Sequence, residues 1–237
     1  MGKDIAILKM GSTFEPLRKR CGDFEDWILE RVSGKLQANT EVIDAAEFAL
    51  GKCAAKAIII TGSHGMVSEP NEHELKCFGT LKKILEASTA PFVFGICYGH
   101  QLLAQLLGGK AAFRGEGGEI GLKPIQFFSD DDPILGCYAR SEVPFFCIHY
   151  QSAAKLPPDA LLLAKSSEEA HHAFRLGNFW GVQFHPEFPK EACLYYDEEC
   201  VKVSPAERSA RNEFIEEHFV DNSCIANFLK ASGFSEE

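Results

Sequence analysis

"PFVFGICYGHQLLAQLLGG", running from Pro91 to Gly109, decides the fold. An apolar run leads into Cys97. A helical pattern, "GHQLLAQLL", starts almost at once behind it and closes on Gly108-Gly109. A strand that turns so abruptly into a helix holds the residue at the bend in a strained backbone. Small residues two positions away on either side, Gly95 and Gly99, let the two elements pass closely. This is the logic of a nucleophile elbow with a thiol in place of a hydroxyl. The helix N-terminus favours negative charge and so the nucleophilic thiolate. The Tyr98 N–H, one residue on, points to where an oxyanion would form. On its own the stretch reads equally well as a core cysteine ahead of an ordinary helix, so the rest of the chain must supply a base.

Working outward, "IAILKM" (Ile5 to Met10) reads as a first strand, and "FEDWILERV" as a helix with Phe24, Trp27, Ile28 and Val32 at helical intervals. "TEVIDA" and "KAIIITGS" read as strands, the second buried on both faces over Ala57 to Thr61. The stretch from Glu69 to Ala87 reads as a helix with Leu75, Phe78, Leu81 and Leu85 on one side. "LRKR" (Leu17 to Arg20) reads as a solvated loop. This alternation predicts an α/β fold: an open, mostly parallel sheet flanked by helices. After Lys110, "GEIGLKPIQFF", "EVPFFCIHY", "ALLLAKS", "AHHAFRLG" and "FWGVQFH" predict short strands, a mixed or antiparallel extension. His171 and His172 would be neighbours on a strand and face opposite ways, as structural or exposed residues. Ser204, Pro205 and Glu207 form a helix start with a capping box, and a last helix spans Ser223 to Ala231. No repeat or linker divides the chain, so residues 1–237 read as one domain, with a core of about 5–188 and a helical extension of about 189–237.

The chain has 237 residues, 46% of them hydrophobic, and a net charge of −10. That balance argues against a nucleic-acid partner, whose phosphates need clustered Lys and Arg. No run approaches a membrane span, and no secretory signal opens the chain. Met1-Gly2 is followed by Ala at the position where a myristoylation signal needs Ser or Thr. Nine cysteines without a C-x-x-C pair fit neither a disulfide framework nor a zinc site. A reducing, cytoplasmic location follows.

The base is in "GVQFHPEF". His185 ends an apolar strand, and Pro186, lacking an N–H, stops the ladder there. Glu187 lies two residues on and shares a face with His185 in extended backbone. Its carboxylate can fix the imidazole tautomer and leave the other nitrogen for the thiol. In "IIITGSHGM" a buried strand runs into Thr61-Gly62-Ser63 at a strand's carboxyl end, where open α/β sheets gather ligands. That turn offers a second oxyanion donor, and reads equally as a plain strand-to-loop turn.

Together these stretches resemble the class I glutamine amidotransferases, the Cys-His-Glu triad family. Gly95, Cys97, Gly99 and Gln101 match its G-x-C-x-G-x-Q elbow; His185, Pro186 and Glu187 match its H-P-E. The likeness covers about Ile5 to Phe188, and "GGK…GEIG" (Gly108 to Gly121) is similar to the segment after the elbow helix. The resemblance implies that Cys97 attacks the glutamine side-chain amide, His185 moves the protons and Glu187 orients His185. It implies that Ser63 and Tyr98 N–H groups hold the oxyanion, and that Gly62 and Gln101 help bind substrate. His149, in "IHYQS", sits roughly where relatives have a His-containing turn touching the substrate's amino-acid end. The match departs at Gly62-Ser63-His64, where relatives carry Gly-Gly-Pro or Asn-Gly-Pro. Ser63 replaces the donor glycine and serves only if its φ is one a side chain tolerates.

The elbow does not say where ammonia would go. No G-x-x-x-x-G-K-[ST] loop is present, and "GEGGEIG" has Ile120 at the third glycine of a dinucleotide fingerprint. About 50 residues follow His185, too few for a synthetase, so a synthetase partner subunit is one expectation and a free-standing protein another. The proposed chemistry needs no metal and no cofactor. Three functions remain: a glutamine amidotransferase or glutaminase, a γ-glutamyl peptide hydrolase with the same triad, and a non-catalytic regulatory module. A stand-alone cysteine hydrolase or chaperone of similar α/β topology ranks last, because it would lack the H-P-E pair.

Overall fold

A computed structural model describes residues 4–32, 38–49, 53–115 and 117–234; Met1-Gly2 and Glu116 of the sequence readings lie outside them. Four strands in the first half are parallel: β1 (Ile5–Lys9), β2 (Thr40–Asp44), β3 (Ala57–Ile60) and β4 (Phe92–Ile96). β6 (Glu119–Phe127), β7 (Glu142–His149), β9 (Leu161–Lys165), β10 (Ala173–Leu176) and β11 (Phe179–Val182) extend the same sheet. The order is β2-β1-β3-β4-β11-β10-β9-β6-β7. β11 pairs parallel with β4, and every later pairing is antiparallel. β5 (Lys110–Phe113) and β8 (Gln151–Lys155) form a separate antiparallel pair.

Alternation along the buried strands assigns the two faces. Ile5, Ile7 and Ile59 share a core with Ile28 and Val32 of α2 (Phe24–Val32) and Phe228 of α8 (Cys224–Ala231). Ala6, Leu8, Ile58 and Ile60 face the other way, onto Phe78 and Leu81 of α4 (Glu72–Leu85) and Leu102 and Leu103 of α5 (Tyr98–Leu106). A third cluster joins Leu17 of α1 (Glu15–Cys21), Phe24, Trp27, Phe146 and Tyr196 of α6 (Lys190–Cys200) to Ile215 of α7 (Pro205–His218). A short helix, α3 (Ala45–Phe48), follows β2.

The structure corrects several expectations. "LRKR" lies on α1, not in a loop. Only Leu17 is buried there, so no apolar stripe marks the helix; Pro16 opens it, and Arg18, Lys19 and Arg20 suit its negative C-terminal end. Leu75 is 55% exposed, and the buried stripe of α4 is Cys77, Phe78, Leu81 and Leu85. His171 and His172 precede β10 rather than lie on it. "IHYQS" is strand, single exposed residue, strand: His149 ends β7 and Gln151 starts β8. α6 falls within the expected helical extension of about 189–237, although Asp197 interrupts its apolar stripe. That carboxylate is fully buried and accepts from Arg208 and Arg211 of α7. The capping box of Ser204 and Glu207 is present as read.

Candidate active site

β4 ends at Ile96 and α5 begins at Tyr98, so Cys97 alone makes the bend. Its φ is 50° and its ψ −97°, one of three non-glycine residues with positive φ among those described. The tightness has two causes. A Cβ on Gly95 would lie 2.5 Å from the Gly99 carbonyl carbon, and one on Gly99 would lie 2.7 Å from the Ile60 oxygen. Both glycines are therefore required by backbone passing backbone. The Cys97 N–H donates to Val182 O at 2.8 Å, pinning the bend to the end of β11.

Beyond β11, past Gln183 and Phe184, comes His185. Its backbone N–H donates to Phe146 O at 2.9 Å, and Asn222 Nδ2 donates to Pro186 O at 2.9 Å. His185 Nδ1 donates to Glu187 Oε1 at 2.7 Å, with both side chains buried. This fixes the tautomer and turns Nε2 toward the cavity. Nε2 makes no hydrogen bond of standard geometry, yet Cys97 is close enough to act on its charge. Burial works against a charged imidazole here, but the charges of Glu187 and Cys97 outweigh it and lift His185 from 6.5 to about 10. His185 therefore rests as imidazolium at neutral pH, the counter-ion that a neighbouring thiolate requires.

β3 delivers the third element. Thr61 Oγ1 accepts from Met10 N–H at 3.0 Å and donates to Gly62 O at 2.9 Å, fixing the turn. A Cβ on Gly62 would stand 3.1 Å from His185 Cε1, so the absent side chain makes room for the imidazole. Ser63 is not among the residues with positive φ, so its side chain imposes no backbone strain. Tyr98 N–H lies in the first turn of α5, where no intrahelical acceptor exists.

A cavity of about 270 Å³ is lined by Ser63, Cys97, Tyr98, Gln101, His149 and His185, among others. Six of the eight residues singled out in the sequence thus meet in one space. Gly62 packs behind the imidazole, and Glu187 is buried behind it. Gln101 Nε2 donates to Gln151 O at 2.8 Å and Gln183 Oε1 at 3.1 Å. His149 has both ring nitrogens engaged, Nδ1 with Gln151 O at 2.9 Å and Nε2 with Glu119 Oε2 at 2.8 Å. Burial lowers His149 from the usual histidine value, against the pull of the Glu119 carboxylate. Arg114, 3.2 Å from Glu119, supplies the cation that balances this carboxylate.

Gln183 escaped the sequence reading. Its Nε2 donates to Cys97 Sγ at 3.5 Å, and its oxygen accepts from Gln101. Its spacing was the available signal: two residues before His185, it shares a face with that histidine in extended backbone. His172, read as structural or exposed, is structural: it is fully buried, with Nε2 3.1 Å from Glu119 Oε2. Glu119, His149 and His172 bring their ligand atoms within 4.8 Å of one another. Arg114 and Ser166 Oγ also donate to Glu119, so the cluster is a charge-balanced polar knot.

Among the described residues, no helix is long and apolar enough to cross a membrane. Known proteins share this architecture. A glutamine amidotransferase from Thermotoga maritima superposes with a TM-score of 0.69 at 20% identity, covering 98% of this chain and 99% of that one. One from Methylobacillus flagellatus gives 0.68 at 18% identity, covering 100% and 97%. These likenesses are of fold. In sequence, Gamma-glutamyl peptidase 3 of Arabidopsis thaliana is 35% identical over 104 residues, 42% of each chain. The glutamine-hydrolyzing GMP synthase subunit of Pyrococcus furiosus is 32% identical over 161 residues, 66% of this chain and 77% of that one. Glutamine-hydrolyzing GMP synthase of Thermomicrobium roseum is 34% identical over 139 residues, 59% of this chain but only 24% of that one. The chain thus spans less than half the length of the peptidase and of the Thermomicrobium enzyme. The family model for glutamine amidotransferase class-I matches residues 21–192, which include the elbow at Cys97 and the His185-Pro186-Glu187 segment. By that match, over most of its length, the chain belongs to the class I glutamine amidotransferase family.

Proposed function

We propose that the protein hydrolyses a γ-glutamyl amide through a thioester on Cys97, with the side-chain amide of glutamine as the simplest substrate. The observation that carries this reading is Cys97 at a strained elbow in one cavity with His185, whose far nitrogen is held by Glu187. The Cys97 thiolate attacks the amide carbon, and the oxyanion is met by the N–H groups of Ser63 and Tyr98. The C–N bond breaks as His185 Nε2 gives its proton to the departing nitrogen. Neutral His185 then takes a proton from water, which attacks the thioester and releases glutamate. Gln101, Gly62 and His149 shape the glutamyl end, His149 by holding the Gln151 carbonyl rather than by a free nitrogen. One unit covering 1–237 carries this activity, with α6 to α8 as its extension. The GMP synthase relatives support a synthetase partner that would use the ammonia; the relative named a γ-glutamyl peptidase supports release of larger amines.

Ammonia release from free glutamine, with labelling of Cys97 by a glutamine-derived chloroketone read by mass spectrometry, tests the reading. Absence of both ammonia and adduct would favour the non-catalytic module.

Two further results are expected. The kcat/KM profile should fall as pH nears about 10, where His185 loses its proton. The sign follows from a raised value: the competent imidazolium persists below it and is lost above it. Glu187→Gln should move that alkaline fall to lower pH. Gln183→Leu should lower turnover roughly 10- to 100-fold, because a hydrogen bond to a charged group contributes about 1.5–3 kcal/mol. Stopped-flow measurement of thioester formation checks this, with the loss placed in acylation.

A further inference from the structure

The side of the cavity from which the leaving group departs is set by His185. Glu187 occupies Nδ1, so the proton for the departing nitrogen comes from Nε2, and the amine must leave past the imidazole. That side is walled by rings. Phe188 lies 4.1 Å from the imidazole and Phe24 stacks on it at 6.4 Å. Tyr196 lies 5.0 Å from Phe188, Phe14 lies 5.2 Å from Tyr196, and His64 lies 4.6 Å from Phe14. The Tyr196 hydroxyl is engaged with Thr13 Oγ1 and His64 Nε2, both at 2.8 Å, and its buried ring lines the cavity. The opposite side, around Gln101, His149 and Gln151, is polar. No Lys or Arg lines the cavity among the described residues. A leaving group carrying its own carboxylate, as a peptide does, finds no cationic partner there.

We propose that the amine released is an apolar one bearing an aromatic ring, so that the substrate class is γ-glutamyl amides of such amines rather than γ-glutamyl peptides with a free carboxyl end. This rests on the Cys97 thioester reading and specifies its leaving group. In the step, the Cys97 sulfur bonds to the γ-carbon and the C–N bond breaks. Its electron pair stays on nitrogen, which takes the proton from His185 Nε2 and leaves as the neutral amine. Water then cleaves the thioester to glutamate, and the sulfur departs as thiolate. Aromatic contact of this kind supports discrimination of about tenfold or more.

The test compares kcat/KM of the wild-type protein on γ-glutamylbenzylamide, γ-glutamylmethylamide and γ-glutamylglycine, with free glutamine alongside. The expected result is a preference for the benzylamide of at least about tenfold over each of the other two amides. Phe14→Ala, at the half-exposed rim, should pull the benzylamide-to-methylamide ratio toward one, with circular dichroism confirming its fold. An independent arm needs no variant: benzylamine, but not methylamine, added during glutamine turnover should capture the thioester as γ-glutamylbenzylamide, seen by mass spectrometry. Turnover of glutamine or the methylamide with a ratio below tenfold overturns this inference alone. No product from glutamine or any amide overturns the thioester reading and this inference with it.

Discussion

Cys97→Gly is expected to be inactive yet more stable than Cys97→Ala, the reverse of the usual order for the two residues. Both lose the proposed nucleophile, and turnover should fall by on the order of 10⁴-fold or more. Both also lose the same small buried thiol, so the comparison isolates the backbone. Glycine ordinarily costs about 0.5–1 kcal/mol relative to alanine through chain entropy. Position 97, however, sits at φ 50° and ψ −97°, and strain of this kind costs a side-chain-bearing residue of order 1–3 kcal/mol. The relief exceeds the entropy, leaving glycine ahead by about 1 kcal/mol, or roughly 2–4 °C in melting temperature for a chain of this size. Thermal denaturation of the two variants checks the order. Alanine melting higher would mean that the elbow is relaxed.

Gly95→Ala should also lower turnover, by a smaller factor, without touching a reacting group. The new Cβ would lie 2.5 Å from the Gly99 carbonyl carbon and 2.8 Å from Leu103 Cδ1. Leucine can yield; the helix backbone cannot, so α5 must move off the sheet. Overpacking of this sort costs about 1–3 kcal/mol and more when both sides are main chain. The displaced helix carries Tyr98 N–H and the sulfur with it, and a shift near 1 Å is enough for a loss of about 100-fold in rate. Gly79→Ala is the matched control. Nothing lies within 4 Å of that Cβ, on the exposed side of α4, and helix propensity predicts a gain of about 0.5–1 kcal/mol there. Melting curves and glutamine turnover on both variants separate the two outcomes.

The parts of this site legible in the sequence were those where one residue type does one local thing. Gly95 and Gly99 announce a close approach, Pro186 a ladder's end, and Glu187 a partner on the same face as His185. Long-range partnerships were not legible. Gln183 looks like a polar interruption in an apolar strand until the fold sets its amide against a sulfur eighty-six positions away. His172 looked idle because Glu119 and Arg114, its neighbours in space, come from another part of the chain. Within the expected helical extension, the bounds of α6 were hidden for the same reason: Asp197 spoils an apolar stripe until Arg208 and Arg211 arrive to neutralise it. α1 escaped because a single buried leucine leaves no period to detect.

The position of β11 between β4 and β10 bears on how the protein emerges from the ribosome. The elbow strand is synthesised with one edge unpaired, and its neighbour, Phe179 to Val182, follows some eighty residues later. At about 5–20 residues per second, translation leaves that edge bare for several seconds or longer. Phe94 waits longer still, since the ring stacked on it at 5.3 Å is Phe228 of the last helix. The strand that leads into Cys97 is thus the aggregation-prone edge of the nascent chain, and stalled translation before residue 179 should yield aggregates.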